Sequence, residues 1–537
     1  MVKDAKEWPS PAGSGVVDGG LMVEKKGSTG GDAESDQQGE LQRSLSARHL
    51  NFIAIGGTIG TGFFLGSGTA LLKAGPLGCL LSYLFVGTIL WSVMVSLGEL
   101  STFIPTAGAF STYATRFVDP SLGFAVGWLY WFGWAITYAL SLSASGLIIQ
   151  YWNEDINIGI FIAVFFVVFT LVNYLPVGIY GELEMWLSSL KVITIIGFII
   201  FGICVAAGVG QQGVIGFKHW REQGAFVEYL VSGGTGKFVG FWAVMIQASF
   251  AYQGAELIGV AAGEARNPKK TVPSAIRTTF WGIMTMFVIT IFLLGMIVPS
   301  NDPTLKDQAA NGSTNAKASP LVVAADLAGV PVLPHIINAV LLTAVLSAAN
   351  SNVYSGSRVL LALAEEGLAP KFLTKTNTHG IPIYAVAVTS AIGLLGFLNL
   401  SPAGGQEAFN WLLNISGVAG LTTWGSTCAA LIGFRRALKA QNIPISELPY
   451  ISKFQPFTAW YGLFFNILVA LTQGFTVFIK WNTSEFFAAY ISLILFAVFW
   501  AGHKLWYREG FVHPAAADLA RGRYDSREER DAADGKV

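Results

Sequence analysis

The chain has 537 residues, of which 53% are hydrophobic and 12% are charged, and its mean hydropathy is +0.54. An ordinary soluble protein carries about 25% charged residues, so this composition excludes a soluble globular chain and predicts a membrane protein. The 33 basic and 33 acidic residues cancel, which argues against a nucleic-acid partner.

The two ends of the chain are polar. Residues 1–47 are rich in Gly, Ser, Asp and Lys and lack the apolar segment of a signal peptide. Such a segment buries too little apolar surface to fold, so we expect a disordered N-terminal tail. Residues 48–507 form the predicted membrane domain, and residues 508–537 form a second tail. These two tails are where trafficking and ubiquitination machinery would bind.

Segments long enough to cross a bilayer follow one another through the middle of the chain. A helical span needs about 20 mostly apolar residues. Such runs occur at 51–72, 77–98, 122–150, 158–175, 186–208, 238–260, 279–298, 333–362, 382–398, 407–433, 458–479 and 485–506. The sequence therefore predicts an all-α polytopic protein with about twelve transmembrane helices in a lipid bilayer.

The basic residues predict the orientation of these spans. An even number of spans places both tails on one side, and cytoplasmic loops carry an excess of Lys and Arg. The loops on the tail side hold Arg48, Arg116, Arg266, Lys269, Lys270, Arg277, Lys371, Lys375, Arg435, Arg436, Lys439 and Lys504. Both termini are therefore predicted to be cytoplasmic. Glycosylation triplets at Asn311 and Asn482 fall in loops that this orientation makes external, which gives weak support.

No cofactor or metal is expected from the motifs. The segment SGGTGKF at 232–238 resembles part of a phosphate-binding loop, but Phe238 follows Lys237 where a Ser or Thr is needed. The histidines lie at segment ends or in loops, without the spacing of metal ligands.

The first span contains an unusual density of glycine. Its sequence FIAIGGTIGTGFFLGSG holds six glycines, and each interior glycine weakens a helix by about 0.5–1 kcal/mol relative to alanine. Unwound backbone at membrane depth survives only where it faces protein or a water-filled cavity. Gly60 and Gly62, which flank Thr61, are therefore predicted to line a binding cavity. Gly66 and Gly68 instead fit close helix packing.

The sixth span carries a second interruption. Within MIQASFAYQGAELIGVAAGEARNP, the residues Gln253, Gly254 and Glu256 break an otherwise apolar helix. Interrupted helices in the first and sixth positions are typical of an inverted repeat of five spans plus five, here followed by two extra spans. The substrate of such a protein lies between the two breaks, where freed amides and a helix dipole suit an anionic group such as a carboxylate.

Five segments, in order along the chain, carry a resemblance to a known family. They read RHLNFIAIGGTIGTGFFLGSG, GELSTFIPTAGAF, FAYQGAELIGVAAGEARNPKKTVPSAI, SAANSNVYSGSRVLLALAEEGLAPKF and WLLNISGVAG. From Arg48 to the end of the twelfth span, the chain resembles the yeast amino acid transporter family, the fungal permeases of the amino acid-polyamine-organocation superfamily, and most of all its arginine and lysine permease branch. The resemblance implies proton-coupled uptake of an amino acid at the plasma membrane.

The same resemblance implies substrate contacts. Thr61 and Gly62 match positions that hold the substrate α-carboxylate. The carbonyls of Thr58, Phe250 and Tyr252 would receive the α-ammonium group. Phe250 also matches an aromatic ring that closes over the bound substrate, and a ring at that place can gate a site and face a cation.

Two ionisable residues lie within predicted spans. Placing a charged side chain at the bilayer centre costs at least ~2.5–3.5 kcal/mol, so such a residue is taken to have a function. By resemblance, Lys191 matches a lysine whose ammonium replaces a bound sodium ion by reaching span-one carbonyls; the alternative is a snorkelling residue at a span end. Glu256 follows the break in span six and is expected to bridge to span one or ten, or to take a proton. Glu99, at the cytoplasmic end of span two, is an inner-gate or folding residue.

The substrate side chain is left open by the sequence. Cation-selective relatives carry a glutamate where this chain has Ser141, and Ser416 beside the expected side-chain pocket is small and polar. A carboxylate is the simplest group that offsets the desolvation of a cationic side chain, so Ser141 favours broad or neutral substrates. Basic amino acids stay the alternative, because Glu256 lies close to the site.

The leading hypothesis is a proton-driven secondary transporter of amino acids, not an enzyme. A membrane enzyme needs paired catalytic groups at depth, and spans four, seven, nine and eleven offer essentially none. The alternative is a nutrient receptor that binds amino acids without moving them. Receptors of this family carry a much longer cytosolic N-terminal extension than the roughly 50 residues here, which favours transport.

Overall fold

The computed structural model describes residues 45–64, 66–153, 155–306, 319–400 and 405–523. Side chains are described throughout these ranges except at Thr61, residues 405–410 and Leu413. Most of the predicted N-terminal tail, the end of the C-terminal tail and the predicted glycosylation site at Asn311 lie outside the described residues.

Helices joined by loops make up the described part of the chain, which confirms the all-α prediction. In chain order, the α-helices of the described residues are α1 (Ala47–Thr58), α2 (Thr61–Phe64), α3 (Gly66–Phe103), α4 (Ala109–Phe117), α5 (Pro120–Ile149), α6 (Ile158–Val172), α7 (Val177–Ala206), α8 (Lys218–Glu222), α9 (Gly233–Ala243), α10 (Met245–Tyr252), α11 (Leu257–Ala261), α12 (Pro268–Ile297), α13 (Pro320–Leu327), α14 (Leu333–Glu365), α15 (Ile383–Ile392), α16 (Gly405–Ala440), α17 (Phe457–Thr472), α18 (Thr476–Ile479) and α19 (Thr483–Tyr507).

Most of the predicted spans coincide with long apolar helices. Within the described ranges, nine helical segments are long and apolar enough to cross a membrane, and each matches one predicted span. The fourth predicted span corresponds to α6, which has 15 residues, and the first and sixth are divided into short helices. The chain is therefore a multi-pass membrane protein, while the count of twelve spans stays a prediction.

The first predicted span is interrupted where the glycines are densest. Helix α1 ends at Thr58, Ile59 leaves the helical conformation with φ −79° and ψ 89°, and α2 begins at Thr61. The break therefore falls on Gly60 and its neighbour, in the segment that the glycine content predicts to unwind.

The sixth predicted span is interrupted after Tyr252. Gln253 is extended with ψ 144°, and Gly254 has φ +103°, a conformation that strains any residue with a Cβ. A Cβ added at Gly254 would lie 2.5 Å from the carbonyl carbon of Gly57. The two interruptions therefore meet at backbone contact, and a side chain at 254 would push them apart.

Helix α3 contains the end of the first predicted span and all of the second. Gly75 has φ +73° and Pro76 follows it, so the backbone turns between the two spans without a long loop. The segment that precedes α9 packs on this turn, because the Leu77 amide donates to the Ala225 carbonyl at 2.9 Å.

The interior is built around α5, which packs against α14 and α16, while α3 packs against α12. Helices α6 and α7 expose large apolar side chains, such as Ile160 at 60%, Leu171 at 61% and Trp186 at 71%. An apolar exterior of this kind suits contact with lipid chains.

The glycines after the first break do not all serve close packing. Among the described residues, a Cβ at Gly66 would meet no atom within 4 Å, so the prediction of a packing role for this glycine is wrong. Gly68 is buried inside α3, and its packing role stays a prediction.

Candidate functional site

A polar pocket opens between the two helix breaks. Its walls come from the first and sixth predicted spans together with α5, α14 and α16. The lining residues are Gly57, Thr58, Gly60, Gly62, Tyr130, Gly133, Trp134, Thr137, Ser141, Phe250, Gln253, Ala348, Asn352, Ser416, Ala419 and Gly420. The residues predicted from the sequence that lie here are Thr58, Gly60, Gly62, Ser141, Phe250 and Ser416. Both breaks and both predicted serines therefore share one cavity.

The glycine-rich break presents backbone groups to this pocket. The hydroxyl of Thr58 donates to the carbonyl of Ala54 at 2.7 Å, so that side chain is already engaged within α1. Gly62 lies in the first turn of α2, where helix N–H groups have no acceptor inside the helix and are available to a ligand. The side chain of Thr61 is outside the described side chains, and its contact with a substrate stays a prediction.

The ring of Phe250 lies against the same break. It lines the pocket and is 8% exposed. A Cβ at Gly62 would come within 2.7 Å of the Phe250 Cδ1 atom, so a side chain at 62 would displace the ring. Glycine at this position thus permits the contact between the first and sixth spans.

Tyr252 does not join the pocket through its side chain. It is buried, its hydroxyl donates to the sulfur of Met284 at 3.3 Å, and its ring packs near Phe287. The pocket lining given above does not include Tyr252. The predicted contact of its carbonyl with an α-ammonium group stays a prediction.

Uncharged polar groups form the wall opposite the breaks. Asn352 Nδ2 donates to the hydroxyl of Ser141 at 3.2 Å, which joins α14 to α5. The hydroxyls of Thr137 and Ser416 lie 2.5 Å apart, which joins α5 to α16. The lining contains no Asp, Glu, Lys, Arg or His among the residues that the structure describes. A substrate side chain entering here meets dipoles rather than a formal charge.

Lys191 lies behind the first break. Its side chain is fully buried, and its Nζ donates to the carbonyl of Gly56 at 2.6 Å, one turn before the break. This position differs from that of a snorkelling lysine at a span end, because the ammonium points to backbone inside the protein.

Glu256 stands in the second break and interacts with the third and the tenth predicted spans. Its Oε1 accepts a hydrogen bond from the hydroxyl of Tyr130 at 3.1 Å, and its Oε2 accepts one from the amide of Gly254 at 3.0 Å. Tyr130 belongs to α5, the third predicted span, and the side chain of Trp424 in α16, the tenth predicted span, also interacts with the carboxylate. The expected bridge to span one or ten, and the alternative that Glu256 takes a proton, stay predictions. Tyr130 lines the pocket and Glu256 does not, so the side chain of Tyr130 separates the Glu256 carboxylate from the pocket.

Glu99 is held in a separate ion pair. Its carboxylate accepts two hydrogen bonds from the Arg435 guanidinium, at 2.7 and 2.9 Å, and one from the amide of Ser452 at 2.7 Å. This arrangement joins α3 to the end of α16 and to the segment before α17. Glu99 is fully buried and does not line the pocket.

Sequence reasoning missed a further buried carboxylate. Glu184 is fully buried in α7, and its Oε1 accepts a hydrogen bond from the hydroxyl of Ser347 at 2.5 Å. The signal was available, since an acidic residue in a span is functional by default. It was obscured because the segment GELEMW resembles the polar start of a span, with Glu182 close by.

The remaining predictions concern glycosylation at Asn482 and the binding of metal ions. Asn482 accepts hydrogen bonds from the amides of Ser484 and Glu485 as the N-cap of α19, and its glycosylation stays a prediction. Across the ranges that the structure describes, no group of three or more His, Cys, Asp or Glu side chains could hold a metal ion.

A helical membrane protein with two broken helices around a polar pocket is typical of membrane transporters. This chain belongs to the amino acid permease family, whose sequence profile matches residues 49–514. That match confirms the resemblance found in the sequence and the assignment to transporters rather than enzymes.

The chain is similar along most of its length to several fungal permeases. The chain is 45% identical over 474 residues to the Candida albicans "Lysine/arginine permease CAN1", covering 88% of this chain and 82% of that protein. It is 44% identical over 481 residues to the Saccharomyces cerevisiae "Basic amino-acid permease", covering 89% and 83%. It is 41% identical over 482 residues to the Emericella nidulans "Proline-specific permease", covering 89% and 87%.

The fold itself has a counterpart among solved structures. The crystal structure of the Eremococcus coleocola manganese transporter matches with a TM-score of 0.53 and 13% sequence identity, over 88% of this chain and 98% of that chain. At this identity the likeness concerns the fold alone.

Proposed function

We propose that this chain is a proton-coupled amino acid transporter of the plasma membrane that works by alternating access. The observation that carries the proposal is the polar pocket at the contact of the two breaks, where Gly254 lies against Gly57. Unwound backbone inside an apolar protein is costly unless it binds something, and a zwitterion offers one partner for amides and one for carbonyls. Twelve spans in a five-plus-five inverted repeat with two extra helices, and two cytoplasmic termini, are part of this proposal.

The backbone of the site would bind the parts that all amino acids share. The amides around Thr61 and Gly62 receive the α-carboxylate at the start of α2. The carbonyls of Thr58, Phe250 and Tyr252 receive the α-ammonium group. The Phe250 ring closes over the substrate, in keeping with its contact with the first break.

Coupling to protons follows from the position of Lys191. The ammonium of Lys191 donates to the carbonyl of Gly56, an oxygen that could otherwise coordinate a monovalent cation. The site therefore needs no sodium ion. The energy for uptake then comes from protons, whose binding changes the charge of groups behind the pocket.

The pocket favours neutral or small polar side chains over arginine and lysine. Ser141 and Ser416 offer hydroxyl dipoles, and a cationic side chain sheds hydration worth several kcal/mol that a dipole does not fully offset. The alternative class, basic amino acids, is supported by the names of two relatives. In that case Glu256, behind Tyr130, is the carboxylate that a cation would approach.

One experiment tests both the function and the substrate class. Uptake of radiolabelled amino acids, each competed by the full set, is measured in a yeast strain that lacks its own permeases. We expect accumulation at acidic pH that a protonophore abolishes and that replacement of sodium by choline leaves unchanged. Strict sodium dependence would contradict proton coupling, and binding without uptake would favour the nutrient receptor.

A further inference from the structure

A buried carboxylate outside the pocket has one oxygen without a partner. Glu184 Oε1 accepts hydrogen bonds from the hydroxyls of Ser347 at 2.5 Å and Ser188 at 3.3 Å. Its Oε2 has no hydrogen-bond partner at normal distance among the described residues, although the hydroxyl of Ser351 also interacts with the carboxylate. A fully buried ionised carboxylate with a bare oxygen is costly, and a proton on that oxygen removes the charge. The geometry therefore leaves room for a proton on Oε2.

Glu184 and Lys191 act on the same part of α1. Lys191 follows Glu184 by two helical turns, which places both on one face of α7. The ammonium of Lys191 donates to the carbonyl of Gly56, and a Cβ at Gly56 would overlap Glu184 Oε1. Lys191 is also the cation that interacts electrostatically with Glu184. Both charged groups thus meet the last turn of α1 before the break.

The hydroxyl of Ser188 connects the carboxylate to α1. It lies 3.0 Å from the carbonyl oxygen of Phe52 and 3.3 Å from Glu184 Oε1. A hydroxyl has one hydrogen, so it donates to one of these acceptors at a time. An ionised Glu184 attracts that hydrogen, whereas a protonated Glu184 leaves it to the carbonyl of Phe52. The proton on Glu184 therefore changes how α1 is held.

The other buried glutamates have donors on both oxygens. Glu256 accepts from Tyr130 and Gly254. Glu99 accepts from Arg435 and Ser452, and Glu264 accepts from Arg358 and Tyr354. These carboxylates are satisfied in the ionised form, because every oxygen has a hydrogen-bond donor. Glu184 differs from them in this respect.

We propose that Glu184 is the residue that binds the transported proton and that it acts on the substrate site through Lys191. This inference rests on the proposed proton coupling. A proton from water forms an O–H bond at Oε2 and neutralises the carboxylate. Lys191 then loses its counter-charge and holds the carbonyl of Gly56, while Ser188 donates to Phe52. Release of the proton to the opposite side restores the negative charge of Glu184 near Lys191, so one proton crosses per cycle.

Helices α1, α12 and α14 pack on α7. The ionisable side chains that interact electrostatically with Glu184 are Lys191 and Tyr180, both on α7 itself. The ionisable residues on the packed helices include His49 on α1, Arg277 on α12 and Arg358 on α14. His49 pairs with Glu182, and Arg358 pairs with Glu264. Lys191 connects Glu184 to α1, because its ammonium interacts electrostatically with Glu184 and donates to the carbonyl of Gly56.

The test compares Glu184→Gln with Glu182→Gln in the full chain. Glu182 lies two residues away, and its side chain is 43% exposed and pairs with Arg48. For Glu184→Gln we expect accumulation to fall by about tenfold or more, equivalent to about 1.4 kcal/mol of lost driving force. Its uptake rate becomes independent of pH between acidic and neutral values, while exchange of preloaded amino acid persists. The control keeps the pH dependence of the unmodified protein.

Two results would overturn the inference, and both are distinct from failure of the proposed function. Proton-driven accumulation and a normal pH profile in Glu184→Gln would exclude Glu184 as the proton site. If that variant does not reach the surface, Ser347→Ala is used, because it removes the donor to Oε1 and favours the protonated form. We expect its pH profile to move to higher pH, and an unchanged profile would overturn the inference. If the unmodified protein shows no response to a proton gradient, the proposed function fails instead.

Discussion

Lys191 joins the proposed proton pathway to the substrate site. Lys191→Met removes the donor to the Gly56 carbonyl and leaves that group without its partner next to the first break. We expect accumulation to fall to background while the protein still reaches the cell surface, as measured by uptake and surface labelling. Lys218→Met, at an exposed position on α8, is the control and should transport normally. Accumulation by Lys191→Met at the normal level would contradict the proposed role.

Glu256 links the second break to α5 through Tyr130 and Gly254. Glu256→Gln keeps the size of the side chain but exchanges one acceptor oxygen for a donor group, which faces either the Tyr130 hydroxyl or the Gly254 amide. We expect transport to fall steeply with normal trafficking, because the geometry of the break changes. Initial uptake rates compared at equal surface amounts measure this effect. Normal rates in the variant would reduce Glu256 to a packing role.

Ser141 determines the preference of the pocket between cationic and neutral substrate side chains. Ser141→Glu places a carboxylate in a wall of dipoles beside Asn352. We expect the ratio of arginine uptake to neutral amino acid uptake to rise by about tenfold or more, equivalent to about 1.4 kcal/mol. Ser141→Gln is the control, since it adds similar volume without charge. If the unmodified protein takes up only arginine and lysine, our interpretation of Ser141 is wrong.

At the scale of elements, the two interrupted helices depend on one glycine with positive φ. Gly254→Ala adds backbone strain of about 1–3 kcal/mol and forces a methyl group against the carbonyl of Gly57. We expect a lower thermal unfolding temperature in detergent and loss of uptake. Gly197→Ala in α7, where an added Cβ meets no atom within 4 Å, is the matched control and should behave normally. Normal uptake by Gly254→Ala would show that contact between the breaks is dispensable.

The helix breaks could be predicted from sequence because their cause is local. The glycines of the first span and the Gln253–Glu256 segment weaken a helix wherever they occur, so the positions of both interruptions follow from composition. The kink at Gly75 and Pro76 is local in the same way. The 15-residue length of α6 was less apparent, because Tyr174 and Leu175 extend the largely apolar segment beyond the C-cap residue Asn173.

At the scale of the whole molecule, contacts between distant segments could not be predicted. Ser347 reaches Glu184 across 163 residues of sequence, and Asn352 reaches Ser141 across 211. Nothing in the local sequence of either partner specifies such a pair, because it arises only when α14 packs against α7 and α5. Ser141 and Ser416 were identified by family resemblance, whereas Thr137, Asn352 and Glu184 were found only in the structure.

The central claim is that a proton gradient drives amino acid movement through the pocket between the breaks. The most direct test is uptake by purified protein in liposomes, with acidic buffer outside, neutral buffer inside and no sodium on either side. We predict transient accumulation above equilibrium that a protonophore abolishes and that does not increase when a sodium gradient is added. Simple equilibration that ignores the pH gradient, or accumulation that appears only with a sodium gradient, would contradict the account.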